Sequence, residues 1–229
     1  DTNDLLVSNY TGTITDQAGN IAQNFSNQDL GAVIIDTFTP GFDSLSAPDG
    51  SYTTGNTISI TVSWNELVSV SGTPQLNLSN GAVANYTSGS GSPSLVFNYL
   101  VSSGEDTNDL LVSNYTGTIT DQAGNIAQNF SNQDLGAVII DTSAPTFQSV
   151  SITNGTYEIE TLIEITVSWS ENVSVTGSPQ LNFLDGSNAS YKSGSGSPNL
   201  VFEYTLSNIN SSNTSPNKYL LINNYSGSI

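Results

Sequence analysis

"TISITVSW" occupies residues 57–64, and its near-copy "LIEITVSW" occupies 162–169. In the first, Ile58, Ile60, Val62 and Trp64 share one face, and Thr57, Ser59, Thr61 and Ser63 share the other. Successive side chains leave a β-strand on opposite sides, so strict alternation marks a strand with one buried face. "SLVFNYLV" (94–101) has the same period, with Leu95, Phe97, Tyr99 and Val101 together; Leu200, Phe202, Tyr204 and Leu206 keep that face apolar in its copy. "PQLNL" (74–78) reads as a further strand, with Asn80-Gly81 as a tight turn into "VANYT". "FDSLS" (42–46) reads as a first strand, and "TGTITD" and "GAVIID" (116–121 and 136–141) as the last two. No stretch has helical periodicity, so the expected class is all-β. The alternation turns Trp64 and its counterpart Trp169 inward, as core residues rather than sugar-stacking platforms.

The copies belong to a repeat with an offset of about 105 residues, since residues 1–37 return letter for letter at 106–142. Beyond that block, 52–81 matches 157–186 and 86–99 matches 191–204 at about two-thirds of the positions. After Asn210 the second copy gains a short insertion and resumes at "YLLINNYSGSI", the counterpart of "DLLVSNYTGTI". Such a period is too long for a solenoid unit and suits one β-sandwich per repeat. Three pieces follow: 1–37, the C-terminal part of one repeat; 38–142, a complete repeat; and 143–229, a repeat lacking its last strands. About seven strands per complete repeat predict tandem antiparallel Greek-key sandwiches, immunoglobulin-like without the disulfide.

Composition narrows the function. Asp and Glu number 20 against two lysines, Lys192 and Lys218, with no Arg, His or Cys. Two cations cannot coat a phosphate backbone, so nucleic acid is not an expected partner. The net charge of −18 opposes anionic membranes and attracts cations. No apolar run reaches the length of a membrane span, so no membrane insertion is expected in this segment. The chain begins at Asp1 without a recognisable signal peptide, as a mature fragment or an excerpt would. Without His or Cys the common nucleophilic triads cannot be built, and the acidic residues lie mainly in loops, so no enzyme is expected. A Lys–Asn isopeptide staple is excluded from 38–142, which contains no lysine; Lys192 leaves it formally open in the third piece.

"ISITVSWNELVSVSGTPQLNL", "SGSGSPSLVFNYLV", "GTITDQAGN" and "VIIDTSAP" together resemble the bacterial Ig-like, cadherin-like tandem repeats of giant cell-surface proteins. The likeness extends over essentially the whole chain. It implies an extracellular, non-catalytic structural array: an adhesin stalk, or a surface-filament or surface-layer subunit. Its neighbours would be further copies of the repeat, in cis or head-to-tail. The alternative is a carbohydrate- or protein-binding module for cell adhesion, recognising a cell-surface glycan or protein, with the loop "TSGSGSPS" (87–94) as the candidate contact. The likeness further implies structural calcium at domain junctions.

Calcium takes six to eight oxygen ligands, mostly carboxylates and carbonyls. In an Ig-like domain the B–C and F–G loops lie at the end where the chain enters. Glu66 is expected in the B–C loop, Asp121 and Asn125 in the F–G region, and Asp36 just ahead of the domain; Asp1 or Asp4 would join from the preceding repeat. A second junction would use Asp141 and Glu171 with Asp106 and Asp109. Asp16 is the equivalent of Asp121 in the opening segment; residues 143–229 contain no such equivalent. No EF-hand pattern is present, and the competing reading is that these are turn-forming residues with solvated carboxylates.

Twelve Asn-x-Ser/Thr sequons, at Asn9, Asn24, Asn77, Asn85, Asn114, Asn129, Asn154, Asn172, Asn188, Asn210, Asn213 and Asn224, make a glycoprotein plausible where the source glycosylates. The pieces raise one further question. An excerpt from a longer array explains them; so does a chain whose open third repeat takes the opening segment of another by strand addition.

Overall fold

The computed structural model describes residues 5–31, 33–206 and 222–228. All of its regular structure is β, and it divides into two compact units between Ser143 and Ala144. No helix in the described residues is long and apolar enough to cross a membrane.

The first unit opens with β1 (Leu6–Val7) and β2 (Gln28–Asp29), a short antiparallel pair. Then come β3 (Phe42–Ser46), β4 (Gly50–Tyr52), β5 (Thr57–Leu78), β6 (Val83–Ser88), β7 (Ser92–Leu100), β8 (Leu111–Thr120), β9 (Gln133–Asp134) and β10 (Val138–Ile140). The first half of β5 pairs antiparallel with β3 and β7, and its second half with β6 and β8. β6 pairs with β7 and β8 with β9. One pairing departs from the all-antiparallel expectation: β10 runs parallel to β4, with Val138 opposite Gly50 and Ile140 opposite Tyr52.

The two sequence runs 57–64 and 74–78 are one strand. Residues 65–73 continue β5 through register shifts at Ser63/Val68 and Ser71/Gln75. The alternation holds on both sides: Ile58, Ile60, Val62, Trp64, Val68, Leu76 and Leu78 are all buried. They meet Leu95, Phe97, Tyr99, Val112, Ile119, Val138 and Ile140 in one core. Each fully buried large apolar side chain contributes roughly 1.5–3 kcal/mol. Trp64 is a core residue, as the alternation requires, packing edge-on against Tyr115 at 6.1 Å between ring centroids.

The second unit comprises β11 (Phe147–Ile152), β12 (Leu162–Val173), β13 (Thr176–Phe183), β14 (Asn188–Ser193), β15 (Ser197–Thr205) and β16 (Ile222–Ser228). They lie in the order β11-β12-β15-β14-β13-β16, matching that of the first unit, with β12 and β13 corresponding to the two halves of β5. Its smaller core centres on Ile165, Leu181, Leu200 and Phe202. Both units use a Gly/Ser hairpin turn in which only glycine fits. Gly89 and Gly194 have φ of +109° and +112°, and a Cβ on either would lie 2.1 Å from a backbone carbonyl oxygen.

Candidate metal centre

Asp121 follows β8 at the start of a tight turn. Thr120 bridges Ile126, and the Asp121 N–H donates to the Asn125 carbonyl (3.0 Å). Asp121 Oδ1 accepts the N–H groups of Gly124 (2.7 Å) and Asn125 (2.8 Å), while Oδ2 accepts Asn125 Nδ2 (2.7 Å). The same Asn125 amide donates to the Asp36 carbonyl (3.0 Å), tying the segment leading into the unit to the turn after β8. Asn125 therefore orients Asp36 and Asp121.

Glu66 is within β5 rather than in a loop, between the residues where the β7 register shifts. Beside it, Asn65 is locked to Gly41 by two hydrogen bonds, 2.9 and 3.0 Å long. The strand irregularity directs Glu66 to the same place as Asp36 and Asp121. One carboxylate oxygen from each of the three lies within 4.8 Å of the others. Asp121 is 4 % exposed, and the other two are half-buried. Among the described residues this is the one such acidic group.

Burial, then the charges of Asp121 and Asp36, push the Glu66 carboxyl above its ordinary pKa. Burial acts against the Asp121 charge too, but the Asn125 side chain and the amides of Asn125, Gly124 and Ala123 outweigh it and hold that carboxyl low. Residues 1–143 contain no lysine or arginine to neutralise the group. Three carboxylates with up to six oxygens, clustered without a counter-cation, match what a hard divalent cation requires.

Of the second expected set, Asp106, Asp109 and Asp141 lie in the first unit and Glu171 in the second. Asp106 Oδ1 accepts the N–H and hydroxyl of Thr142 (2.6 and 2.5 Å), and its Oδ2 accepts the Ser143 hydroxyl (2.8 Å). These bonds, the Thr142 hydroxyl foremost, lower its pKa. Asp106 thus clamps the end of the first unit, a role its sequence spacing did not reveal. Asp141 Oδ1 accepts the Ser143 N–H (3.1 Å), and exposed Asp109 sits in a loop turn closed by Thr107. Glu171 lies in β12 of the other unit. Asp16 reproduces the Asp121 turn, accepting from Ala18, Asn20 and the Asn20 amide at 2.8–3.0 Å, but it is exposed. Asp1 and Asp4 lie outside the described residues.

Asn9, Asn24, Asn85, Asn129, Asn154, Asn172, Asn188 and Asn224 are exposed. Asn77 and Asn114 are half-buried, with the Asn77 amide donating to Asn114 (2.6 Å). Asn210 and Asn213 are outside the described residues. In the "TSGSGSPS" loop, the Ser90 hydroxyl accepts the Val70 N–H, and the Ser92 hydroxyl binds the Gly89 and Ser94 carbonyls. Lys192 is ion-paired with Glu164 (2.6 Å) and Glu203. A buried network escaped the sequence reading: the Tyr99 hydroxyl donates to Glu105 (2.9 Å) and accepts from Asn80 (3.0 Å). Burial and Glu105 push the Tyr99 pKa to about 12. No protein-family model, curated protein or solved structure matches the chain.

Proposed function

We propose that this chain is a non-catalytic, extracellular structural array of Ig-like Greek-key domains, rigidified by calcium where one repeat leads into the next. An Ig-like assignment is supported by the shared strand order of the two units and by the parallel pair β4–β10 beside otherwise antiparallel strands. The cell-surface reading, as an adhesin stalk or a subunit of a filament or surface layer, rests on the repeat resemblance and the acidic, cysteine-free composition. Exposed sequons suit a glycoprotein in that setting.

One observation carries the calcium reading: the Asp36–Glu66–Asp121 group. Asp36 comes from the segment leading into the unit, Glu66 from β5 and Asp121 from the turn after β8. A cation there would join three parts of the chain at the point where repeats succeed one another. Isothermal titration of the chelator-treated chain with calcium tests this. Binding that is lost in Asp121→Asn and retained in Asp16→Asn is the expected result. No binding heat at millimolar calcium, with an unchanged melting temperature, removes calcium from the reading.

A further inference from the structure

We infer that Asn80 is a one-way modification site: water converts its amide to an acid when the end of the first unit opens, and the hydrogen bonds around Asn80 are the lock. The inference rests on neither calcium nor the array reading.

Asn80-Gly81 lies in the turn between β5 and β6, and Gly81 is exposed. Glycine puts no side chain beside its own nitrogen, so in an Asn-Gly pair that nitrogen can reach the preceding amide carbon. The Gly81 nitrogen attacks Asn80 Cγ. A C–N bond forms, the Cγ–Nδ2 bond breaks, and the departing amide nitrogen takes the Gly81 proton to leave as ammonia. Water then opens the cyclic imide at either carbonyl, giving aspartate or isoaspartate.

The folded unit opposes the first step at each atom it needs. Asn80 Nδ2 donates to the Tyr99 hydroxyl (3.0 Å) and to the Glu105 carbonyl (2.9 Å). Asn80 Oδ1 accepts the Ala82 N–H (3.3 Å), and the Gly81 N–H donates to the Leu78 carbonyl (3.1 Å). The side chain is held at both its nitrogen and its oxygen, and the attacking nitrogen is committed elsewhere. Tyr99 is fully buried and anchors the lock to the core. Outward, Glu105 Oε2 accepts the Tyr99 hydroxyl (2.9 Å) and the Ser102 N–H (2.7 Å). Gly104 donates its N–H to the Thr142 hydroxyl (2.9 Å), and Thr142 is held by Asp106. One network therefore runs from the β5–β6 turn to the last residues of the first unit.

The second unit shows what the turn itself tolerates. Asp185-Gly186 occupies the equivalent place. Gly186 donates to the Phe183 carbonyl (3.0 Å) as Gly81 does to that of Leu78, and φ is +86° and +85° at the two glycines. Asp185 Oδ1 accepts the Ser187 N–H (3.0 Å) and hydroxyl (2.6 Å). An aspartate therefore fits the turn. It cannot serve the lock: a carboxylate has no N–H for Tyr99 or for the Glu105 carbonyl, and it would add a negative charge beside Glu105. Conversion of Asn80 leaves the core in place and frees residues 102–105 from the turn, and with them the tie to Thr142. Water does not restore the amide, so the release is permanent.

Peptide mapping by mass spectrometry of the intact chain, incubated at neutral pH, tests this, with Asn80 resolved from Asn154-Gly155, the other Asn-Gly pair in the sequence. Conversion at Asn80 should be slow in the folded chain and at least about tenfold faster in Glu105→Ala, the factor expected when one or two hydrogen bonds are lost from the closed form. In guanidinium chloride it should be faster still. Asn80→Asp supplies the product directly and is read by amide hydrogen exchange. Its Ser102 and Gly104 amides should exchange at least about tenfold faster than in the parent, on the same grounds. The amides of β5 and β7 should keep their parental protection, which separates local release from misfolding. Equal conversion in the folded and the denatured parent, a Glu105→Ala chain that converts at the parent's rate, or Asn80→Asp amides at 102 and 104 that exchange as in the parent each overturns the inference.

Discussion

Residues 5–31 and 110–136 have the same sequence and a different fate. Both make the Asp turn, the Thr–Ile bridge and the tyrosine-to-alanine hydrogen bond. Only the second copy buries most of its apolar side chains. Ile119, Phe130 and Leu135 are buried, whereas Ile14, Phe25 and Leu30 face solvent. Local structure is therefore written in the segment, and stability is lent by what it packs against. Hydrogen-bonded turns form from nearby residues, but apolar burial needs the facing strands of a complete unit.

The largest break in the comparison should come from the paired phenylalanines. Phe130→Ala should destabilise the first unit by about 3–5 kcal/mol, the range for emptying a buried aromatic site. Phe25→Ala should leave the unfolding of the monomer almost unchanged. Urea denaturation of both variants at low concentration checks this. Equal losses would mean that the opening segment is packed as tightly as its copy.

Calcium should separate the same two copies. Saturation at a hundredfold excess over the dissociation constant should stabilise the first unit by about 2.7 kcal/mol. Asp121→Asn should abolish that gain and Asp16→Asn should not, because only Asp121 has Asp36 and Glu66 beside it. Differential scanning calorimetry with and without chelator measures the shift.

The tyrosines make a finer comparison. Tyr115→Phe leaves the buried Ala127 carbonyl without its donor and should cost about 1–2 kcal/mol. Tyr10→Phe removes the same bond where water can replace it, and the effect should be close to zero.

The smallest effect is pH-dependent. In the metal-free chain, the Glu66 pKa is raised in the folded state, so its contribution to stability is present below its unfolded pKa and lost as pH rises through the folded value. Asp121 has the opposite sign: its lowered pKa contributes stability above the unfolded value, lost as pH falls through the folded one. The two oppose each other around the ordinary carboxylate range, near pH 4. Glu66→Gln should therefore raise the metal-free melting temperature slightly at pH 7 while removing the response to calcium. A lower metal-free melting temperature would contradict the repulsion assigned to Glu66.

Much of the fold could be read in the chain. The period-two faces of 57–64 and 94–101 identified the core strands because a strand has no other way to bury one side. The Asn80-Gly81 turn and the first strand at Phe42–Ser46 followed from turn chemistry and spacing. The continuity of β5 through 65–73 did not, since Asn65, Glu66, Ser71, Gly72 and Thr73 carry no strong strand signal and are held there by pairing with β8 and by the Asn65–Gly41 bonds. The parallel pair β4–β10 was equally hidden, because its strands are three residues long and lie far apart in sequence. The candidate site divides in the same manner: the Asp121 turn is local, but Glu66 reaches it only through a strand irregularity.

Sequence by itself determined the repeat, the all-β class, the inward faces and the turns that hold Asp16 and Asp121, because each depends on neighbours within a few residues or on a simple period. Tertiary structure alone decided that Glu66 reaches Asp36 and Asp121 from within β5 rather than from a loop, that Trp64 is enclosed while Trp169 lines a groove, and that one of two identical segments is covered and the other bare. Those outcomes depend on which distant strand lies opposite, and identical letters cannot encode two different surroundings.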